Sequence, residues 1–327
     1  MKISNLLKPM MANFAHSRSS FLRDRFMLKI LMDKVFKVPS IITKSIKPVM
    51  LSNCTAYEII PPVYEPENVI LYLHGGAMCL PMWKFYLPFA YNLARQTKSR
   101  VLLPDYRLAP DHPFPAAVED STEAATWIRN NWVSAENIVM IGDSAGGNLA
   151  LNTAVNATSL RGLALLSPWL DMTHSSKWWN ENTLDDVVFP EPARRAAWLY
   201  TRGADDWKFG KGNPDSINEF ESQVRDPRVS PIFSDLAFAS HTPVILQVGR
   251  NERLLGDSLE LWKKIGGQSL DIHLNNEKPI TRVVNGQHEI SIWSSVPHVW
   301  QITRPWTSES KLAIDHLVQF VDRTKTT

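Results

Sequence analysis

A serine between small residues is the most evident reactive group in this chain of 327 residues. Residues 142–146 read GDSAG, which matches the Gly-x-Ser-x-Gly spacing of a nucleophile elbow. At such an elbow a strand turns sharply into a helix, and small residues on both sides of the serine permit the strained turn. A strand-like run, 137–141, precedes the motif and a helix-forming run, 148–151, follows it. The pattern predicts that Ser144 is a nucleophile.

A second candidate loop lies upstream, directly after another apolar run. Residues 74–76 read His-Gly-Gly and follow 68–73, which reads as a strand. In hydrolases with an elbow serine, amides of such a loop join the amide after the serine and stabilise the oxyanion that forms on a carbonyl substrate. We expect these donors to be the amides of Gly75, Gly76 and Ala145.

Further motifs occur in a fixed order around these two loops. They read HGGA at 74–77, YRLAPDHPFPAA at 106–117, GDSAGG at 142–147, SPW at 167–169 and DPRVSP at 226–231. Over roughly residues 55–320 this set resembles the hormone-sensitive-lipase-like branch of the α/β hydrolases. The resemblance implies an α/β-hydrolase fold with a helical cap. The last glycine of that family's HGGG loop is Ala77 here, so we expect no positive φ at this position.

The acid that orients the histidine departs from the family pattern. The family motif reads D-x-L-x-D, whereas the aligned stretch here reads ERLLGD and begins with Glu252. Glu252 follows a strand predicted at 244–248, and this fold accepts glutamate as the acid. Asp257 is the main alternative, although a carboxylate there also suits the first turn of a helix. Asp171 is a more remote alternative, and Asp143, adjacent to the serine, is expected to be structural.

The base must follow the acid in the chain, because the order in this fold is serine, carboxylate, histidine. The histidines that remain as candidates are His273, His288, His298 and His316. His298 lies in a loop before the last predicted helix and resembles the family's base. His288 has Glu289 beside it, but adjacent residues of an extended segment face opposite ways. His273 is expected in a strand and His316 in the closing helix, so we interpret both as structural or exposed.

Predicted strands and helices alternate along most of the chain. The strands are expected at 54–63, 68–73, 101–103, 137–141, 163–167, 244–248 and 270–274, and the helices at 83–96, 115–131, 145–155, 256–265 and 308–323. This alternation predicts the α/β class, with a mostly parallel sheet that helices cover on both faces.

The resemblance also divides the chain. It implies a catalytic domain over 51–327, with a cap formed by residues 1–50 and by a Trp-rich, Asp-rich and Pro-rich insertion at about 172–226. Residues 1–50 hold ten Lys and Arg against two Asp, a local charge of +8. Apolar residues recur among these basic residues at roughly helical spacing. We favour a helix packed on the same protein, and the alternative is peripheral contact with an anionic membrane.

Composition narrows the possible partners. The net charge of +2 indicates no nucleic-acid footprint, and two cysteines, Cys54 and Cys79, favour a reducing, cytoplasmic compartment over a disulfide framework. No stretch is apolar enough to span a membrane. No metal-ligand pair, CxxC or phosphate loop occurs, so we expect neither metal nor cofactor. No feature defines an oligomeric state.

The predicted function is that of a serine carboxylesterase. The resemblance implies that its partner is a small-molecule ester with a short acyl group such as acetyl. The aromatic residues of the proposed cap and the basic amphipathic start favour an apolar or lipid-like alcohol. Two alternatives stay open. The same motifs serve an amide or formamide hydrolase, and receptors similar to this family bind a ligand under the cap without catalysis.

Overall fold

Within the described residues, nine strands form one sheet. The computed structural model describes residues 38–157, 159–179, 186, 188, 190–203, 214–270 and 280–325. The strands are β1 (Ile46–Met50), β2 (Thr55–Ile59), β3 (Val69–Leu73), β4 (Arg100–Asp105), β5 (Ile138–Asp143), β6 (Gly162–Leu166), β7 (Val244–Gly249), β8 (Ile280–Asn285) and β9 (His288–Trp293). Their order is β1-β2-β4-β3-β5-β6-β7-β9-β8. In this order β4 to β9 pair in parallel, whereas antiparallel pairings join β1, β2 and β8 to the sheet.

Nine helices occur among the described residues. They are α1 (Ser40–Thr43), α2 (Tyr86–Thr97), α3 (Ala116–Asn131), α4 (Ala145–Val155), α5 (Pro190–Arg202), α6 (Pro214–Gln223), α7 (Leu255–Lys264), α8 (Trp300–Thr303) and α9 (Ser308–Arg323). Short 3-10 turns lie at Ala135–Asn137, Lys177–Trp179, Pro231–Phe233 and Ala237–Ser240. α3 packs against α4, and α9 packs against α2. In the part of the chain described, no helix has the length and apolar character needed to cross a membrane.

The predicted α/β class is confirmed, and burial explains why most strands were readable from the sequence. β3, β5, β6 and β7 are buried along their whole length. Parallel strands with helices on both faces read as continuous apolar runs, which is the pattern used to predict them. The closing helix was predicted with the bounds of α9, whereas the helix predicted at 83–96 begins before α2 does.

The sequence did not predict three of the strands, β1, β8 and β9. β1 contains Pro48, which cannot donate to a ladder and is tolerated because β1 is an edge strand. β8 and β9 form a hairpin in which polar residues, such as Arg282 opposite Ser291, interrupt the apolar pattern. The strand predicted at 270–274 lies, beyond Leu270, outside the described residues, as does His273.

The carboxyl ends of the parallel strands position the candidate site. β3 is followed by the loop 74–77, β5 by Ser144 and β6 by Ser167, while β7 and β9 lead to Glu252 and His298. Because parallel strands present their carboxyl ends at the same edge of a sheet, these residues converge there from distant parts of the chain.

Both cysteines of the chain lie in its interior. Cys54, before β2, and Cys79, after β3, are buried, and neither forms a disulfide. Burial, followed by the charges of Asp120 and Glu123, raises the pKa of Cys54 to about 12. This thiol therefore stays protonated throughout the neutral range.

Candidate active site

Ser144 occupies a strained turn between β5 and α4. Its backbone angles are φ 53° and ψ −120°, a conformation that is uncommon for a residue with a Cβ. A Cβ added at Gly142 would overlap the carbonyl oxygen of Gly146, and one added at Gly146 would overlap that of Leu73. The small residues around the serine are therefore required by close backbone packing, as the motif predicted.

The structure brings Ser144, His298 and Glu252 into one hydrogen-bonded chain. His298 Nε2 lies 3.0 Å from Ser144 Oγ, and His298 Nδ1 lies 2.6 Å from Glu252 Oε2. Because a carboxylate can only accept, Nδ1 carries the proton and Nε2 accepts from the serine hydroxyl. The imidazole is thereby oriented to take the proton of Ser144.

The Glu252 carboxylate is fixed by donors on both of its oxygens. Oε1 accepts from Ser167 Oγ at 2.7 Å and from the Gly249 amide at 2.6 Å, while Oε2 faces His298. Glu252 is 1% exposed, so this carboxylate is compensated by protein groups rather than by water.

The two other acids considered for this role are bound elsewhere. Asp257 lies in the first turn of α7, and its Oδ2 accepts from the amides of Leu170 and Asp171 at 2.7 and 2.9 Å. Burial, followed by the charge of Asp171, raises the pKa of Asp257 well above its usual range. Asp171 itself accepts from Thr173 and Ser175. Both acids tie the chain after β6 in place and do not reach the histidine.

The two other candidates for the base that the structure describes also have structural contacts. His288 begins β9, and its Nδ1 accepts from the Val244 amide at 3.2 Å. Its neighbour Glu289 is paired with Arg282 and Arg323. His316 of α9 is buried, with its ring centroid 5.8 Å from that of Trp293.

Asp143 holds the loop after β3. Its Oδ1 accepts from the Tyr72 hydroxyl at 2.8 Å and from the Gly75 amide at 3.0 Å, and its Oδ2 accepts from the Tyr86 hydroxyl at 2.9 Å. Burial raises the pKa of Asp143 to about 6, against the lowering effect of the bonds from Tyr72 and Tyr86. The amide of Gly75, predicted as an oxyanion donor, is thus engaged by a buried carboxylate instead.

The next two residues of this loop face the cavity at Ser144. Gly76 and Ala77 line that cavity, and in the described structure their amides donate to no other residue. The expectation about Ala77 was wrong, since its φ is 54° and that of Met78 is 52°. A positive φ costs a residue with a Cβ roughly 1–2 kcal/mol. Amides of Cys79 and Leu80 that donate to the Gly76 carbonyl hold the loop in this conformation.

Asp186 is a buried acid near the histidine that sequence reasoning missed. Its carboxylate accepts from the amides of Val188 and Arg253, and burial, followed by the charge of Glu252, raises its pKa. No motif surrounds Asp186, so only the fold identifies it. Burial lowers the pKa of His298, but the charges of Glu252 and Asp186, with the hydrogen bond to Glu252, outweigh burial and raise it above the ordinary value.

A small apolar cavity opens at Ser144 and His298. Its volume is about 150 Å³. Trp169 after β6, Ala193 and Ala196 of α5, and Leu254 before α7 line it. Trp169, Ala193 and Ala196 of the β6–β7 connection therefore form one part of the wall around the serine.

Fold and geometry together correspond to one class of protein. An α/β sheet in which an elbow serine faces a histidine and a buried carboxylate, in the chain order serine, carboxylate, histidine, is the arrangement of α/β hydrolases. The chain belongs to the alpha/beta hydrolase fold family, whose sequence model matches residues 70–279.

Named relatives agree with this assignment. The chain is 28% identical over 304 residues to an esterase of Acinetobacter venetianus, covering 90% of this chain and 87% of that protein. It is also 28% identical over 278 residues to an acetyl-hydrolase of Streptomyces hygroscopicus, which covers 82% of this chain and 79% of that protein. A solved esterase from the bacterial hormone-sensitive lipase family superposes with a TM-score of 0.73 at 27% identity, over 98% of this chain and 97% of that one. The predicted resemblance to that family is confirmed.

Proposed function

We propose that this chain is a carboxylic-ester hydrolase that acts through Ser144. The relatives named as an esterase and an acetyl-hydrolase support ester hydrolysis. The observation that carries the serine mechanism is the hydrogen-bonded chain from Ser144 Oγ through His298 to Glu252, with distances of 3.0 and 2.6 Å.

In the proposed mechanism, His298 Nε2 takes the proton of Ser144 while Oγ attacks the ester carbonyl. The tetrahedral intermediate collapses to an acyl-enzyme as His298 protonates the leaving alcohol. A water molecule, activated by the same imidazole, then releases the acid. Glu252 stabilises the imidazolium in both steps. The reaction uses side chains and amides of the chain and requires no cofactor.

We assign the oxyanion contacts to the amides of Gly76, Ala77 and Ala145. Gly76 and Ala77 line the cavity beside Ser144. Ala145 is the first residue of α4, where an N–H has no acceptor within the helix. Gly75 is replaced in this role by Ala77 because its amide is held by Asp143. Each such donor contributes ~3–4 kcal/mol to transition-state stabilisation.

We further propose that the segment predicted at 1–50, up to the start of β1, and the insertion at about 172–226 form a cap on the catalytic domain predicted at 51–327. The structure moves the boundary between them, because β1 (Ile46–Met50) pairs with β2 and so belongs to the sheet of the catalytic domain. α5 lies in this insertion, and its residues Ala193 and Ala196 line the cavity. A cavity of about 150 Å³ has room for a short acyl group such as acetyl.

Peripheral contact of residues 1–50 with an anionic membrane is testable by sedimentation with vesicles that contain or lack anionic lipid.

The test is turnover of small esters by the purified chain. We expect hydrolysis of 4-nitrophenyl acetate and butyrate, and a loss of at least about 10⁴-fold in kcat for Ser144→Ala. His298→Ala should be similarly impaired, whereas the matched control His288→Ala should keep its activity. Parallel assays with 4-nitroacetanilide test whether the chain also cleaves an amide, whose leaving group is an amine rather than an alcohol. Binding of esters without turnover would overturn the proposal in favour of a receptor.

A further inference from the structure

A second cavity, which we call the α2–α9 groove, adjoins the candidate active site. It is lined by Phe85 and Asn92 before and within α2, by Thr303 and Trp306 around the end of α8, and by Ile314 of α9. Its volume is about 560 Å³, against about 150 Å³ for the cavity at the serine. The larger value lies in the range typical of sites for small organic molecules.

The two cavities share a wall. Phe85 and Thr303 line both of them. The Phe85 ring stacks on Tyr86 with a centroid distance of 4.9 Å, and Thr303 Oγ1 donates to the Val299 carbonyl at 3.0 Å. The groove and the cavity at the serine therefore adjoin at these two side chains.

The position of this wall tells which part of an ester would reach the groove. In ester hydrolysis the histidine protonates the leaving alcohol, so the alcohol must lie on the imidazole side of the serine. Thr303 lies in α8, which begins just after His298, and its hydroxyl also contacts the His298 carbonyl at 3.4 Å. Thr303, one of the two shared residues, therefore lies beside the histidine, on the side from which the alcohol departs.

The lining of the groove favours an apolar ligand with some contact to water. Phe89 and Ile314 are buried at its base. Trp306 is 66% exposed at its surface, and Asn92 and Lys311 add polar atoms. An exposed indole next to an apolar depression is typical of a surface that binds a ligand.

We propose that the α2–α9 groove is the subsite for the alcohol part of the ester, and that this part is a bulky or long apolar alcohol. The proposal rests on the esterase function proposed above, since it assigns a direction to the same reaction. It makes Phe85 and Trp306 determinants of alcohol specificity, while the cavity of about 150 Å³ at Ser144 receives the acyl group.

The test blocks the groove with a substitution and compares esters that carry a ten-carbon chain either on the alcohol side or on the acyl side. Asn92→Trp places an indole in the groove without touching the cavity at the serine. We expect kcat/KM for decyl acetate to fall by about tenfold or more, because a well-packed apolar subsite is lost, while 4-nitrophenyl acetate and 4-nitrophenyl decanoate change less than about twofold. Trp306→Ala should lower decyl acetate hydrolysis in the same selective way.

A matched substitution and the wild type separate the outcomes. Asn130→Trp adds the same indole at an exposed position of α3, which lines neither cavity, and should leave all three substrates unchanged. A selective loss on 4-nitrophenyl decanoate would mean that the groove takes the acyl chain and would overturn the proposal. So would equal losses on all substrates, no loss at all, or a wild type that cleaves 4-nitrophenyl acetate but not decyl acetate. A wild type inactive on every ester would instead refute the esterase function itself.

Discussion

Glu252 and Asp143 are buried carboxylates with donors on both oxygens, and their surroundings differ in one respect. Glu252 accepts from a hydroxyl, an amide and the imidazole of His298, whereas Asp143 accepts from two tyrosine hydroxyls and an amide. The first carboxylate thus has a partner that can become positively charged, and the second has only neutral ones. The partner therefore distinguishes the two buried acids: Glu252 orients the imidazole of a histidine, and Asp143 holds the amide of a loop residue.

Replacing Glu252 by glutamine should have the largest effect. Glutamine keeps the shape but cannot stabilise an imidazolium, so we expect kcat on 4-nitrophenyl acetate to fall by about 10³–10⁴-fold. Steady-state kinetics measure this loss. Asp257→Asn is the matched control, because Asp257 binds the amides of Leu170 and Asp171 rather than the histidine. The reverse pattern would transfer the acid role to Asp257.

Replacing Asp143 should impair catalysis through the loop rather than through the base. In Asp143→Ala the hydroxyls of Tyr72 and Tyr86 lose their acceptor, and the Gly75 amide keeps only its 3.1 Å hydrogen bond to the Tyr86 hydroxyl, which loosens the loop that presents Gly76 and Ala77. We expect kcat to fall by about 10²-fold, comparable to the loss of one oxyanion donor. Asp143→Asn keeps an acceptor oxygen and should retain activity within about tenfold. If alanine and asparagine behave alike, the loop does not depend on these hydrogen bonds.

The smallest effect concerns pH. The pKa of His298 is raised above its ordinary value, chiefly by the Glu252 charge acting against burial. Since only neutral imidazole accepts the serine proton, kcat/KM should fall as the pH decreases through a midpoint above the ordinary histidine value of about 6.5. The residual activity of Glu252→Gln should show a midpoint at lower pH. An unchanged midpoint in that variant would show that Glu252 does not set the charge of the imidazole.

The parts of the site that follow from local sterics could be predicted from the sequence. The elbow at Ser144 depends on the contact between positions 142 and 146, so its motif is readable in one short segment. The parallel strands were readable because they are buried on both faces. Chain order and resemblance predicted His298 as the base and Glu252 as the acid, and the fold brings these two side chains together beyond the ends of β9 and β7.

The remaining features depend on contacts between distant segments. The direction of the Gly75 amide is decided by Asp143, 68 residues away along the chain, which a motif cannot express. The positive φ of Ala77 reflects hydrogen bonds that override the preference of alanine. The α2–α9 groove is formed by helices with no shared motif, so only the folded structure reveals it.

The burial of both cysteines has a practical consequence for chemical labelling. Cys54 and Cys79 are the only thiols of the chain, and neither is exposed. A cysteine introduced on the surface would therefore be the one thiol open to maleimides. The raised pKa of Cys54 further slows its alkylation, because the thiolate is the reactive form. A spectroscopic probe or a surface tether could thus be attached at one chosen position without first removing the native cysteines.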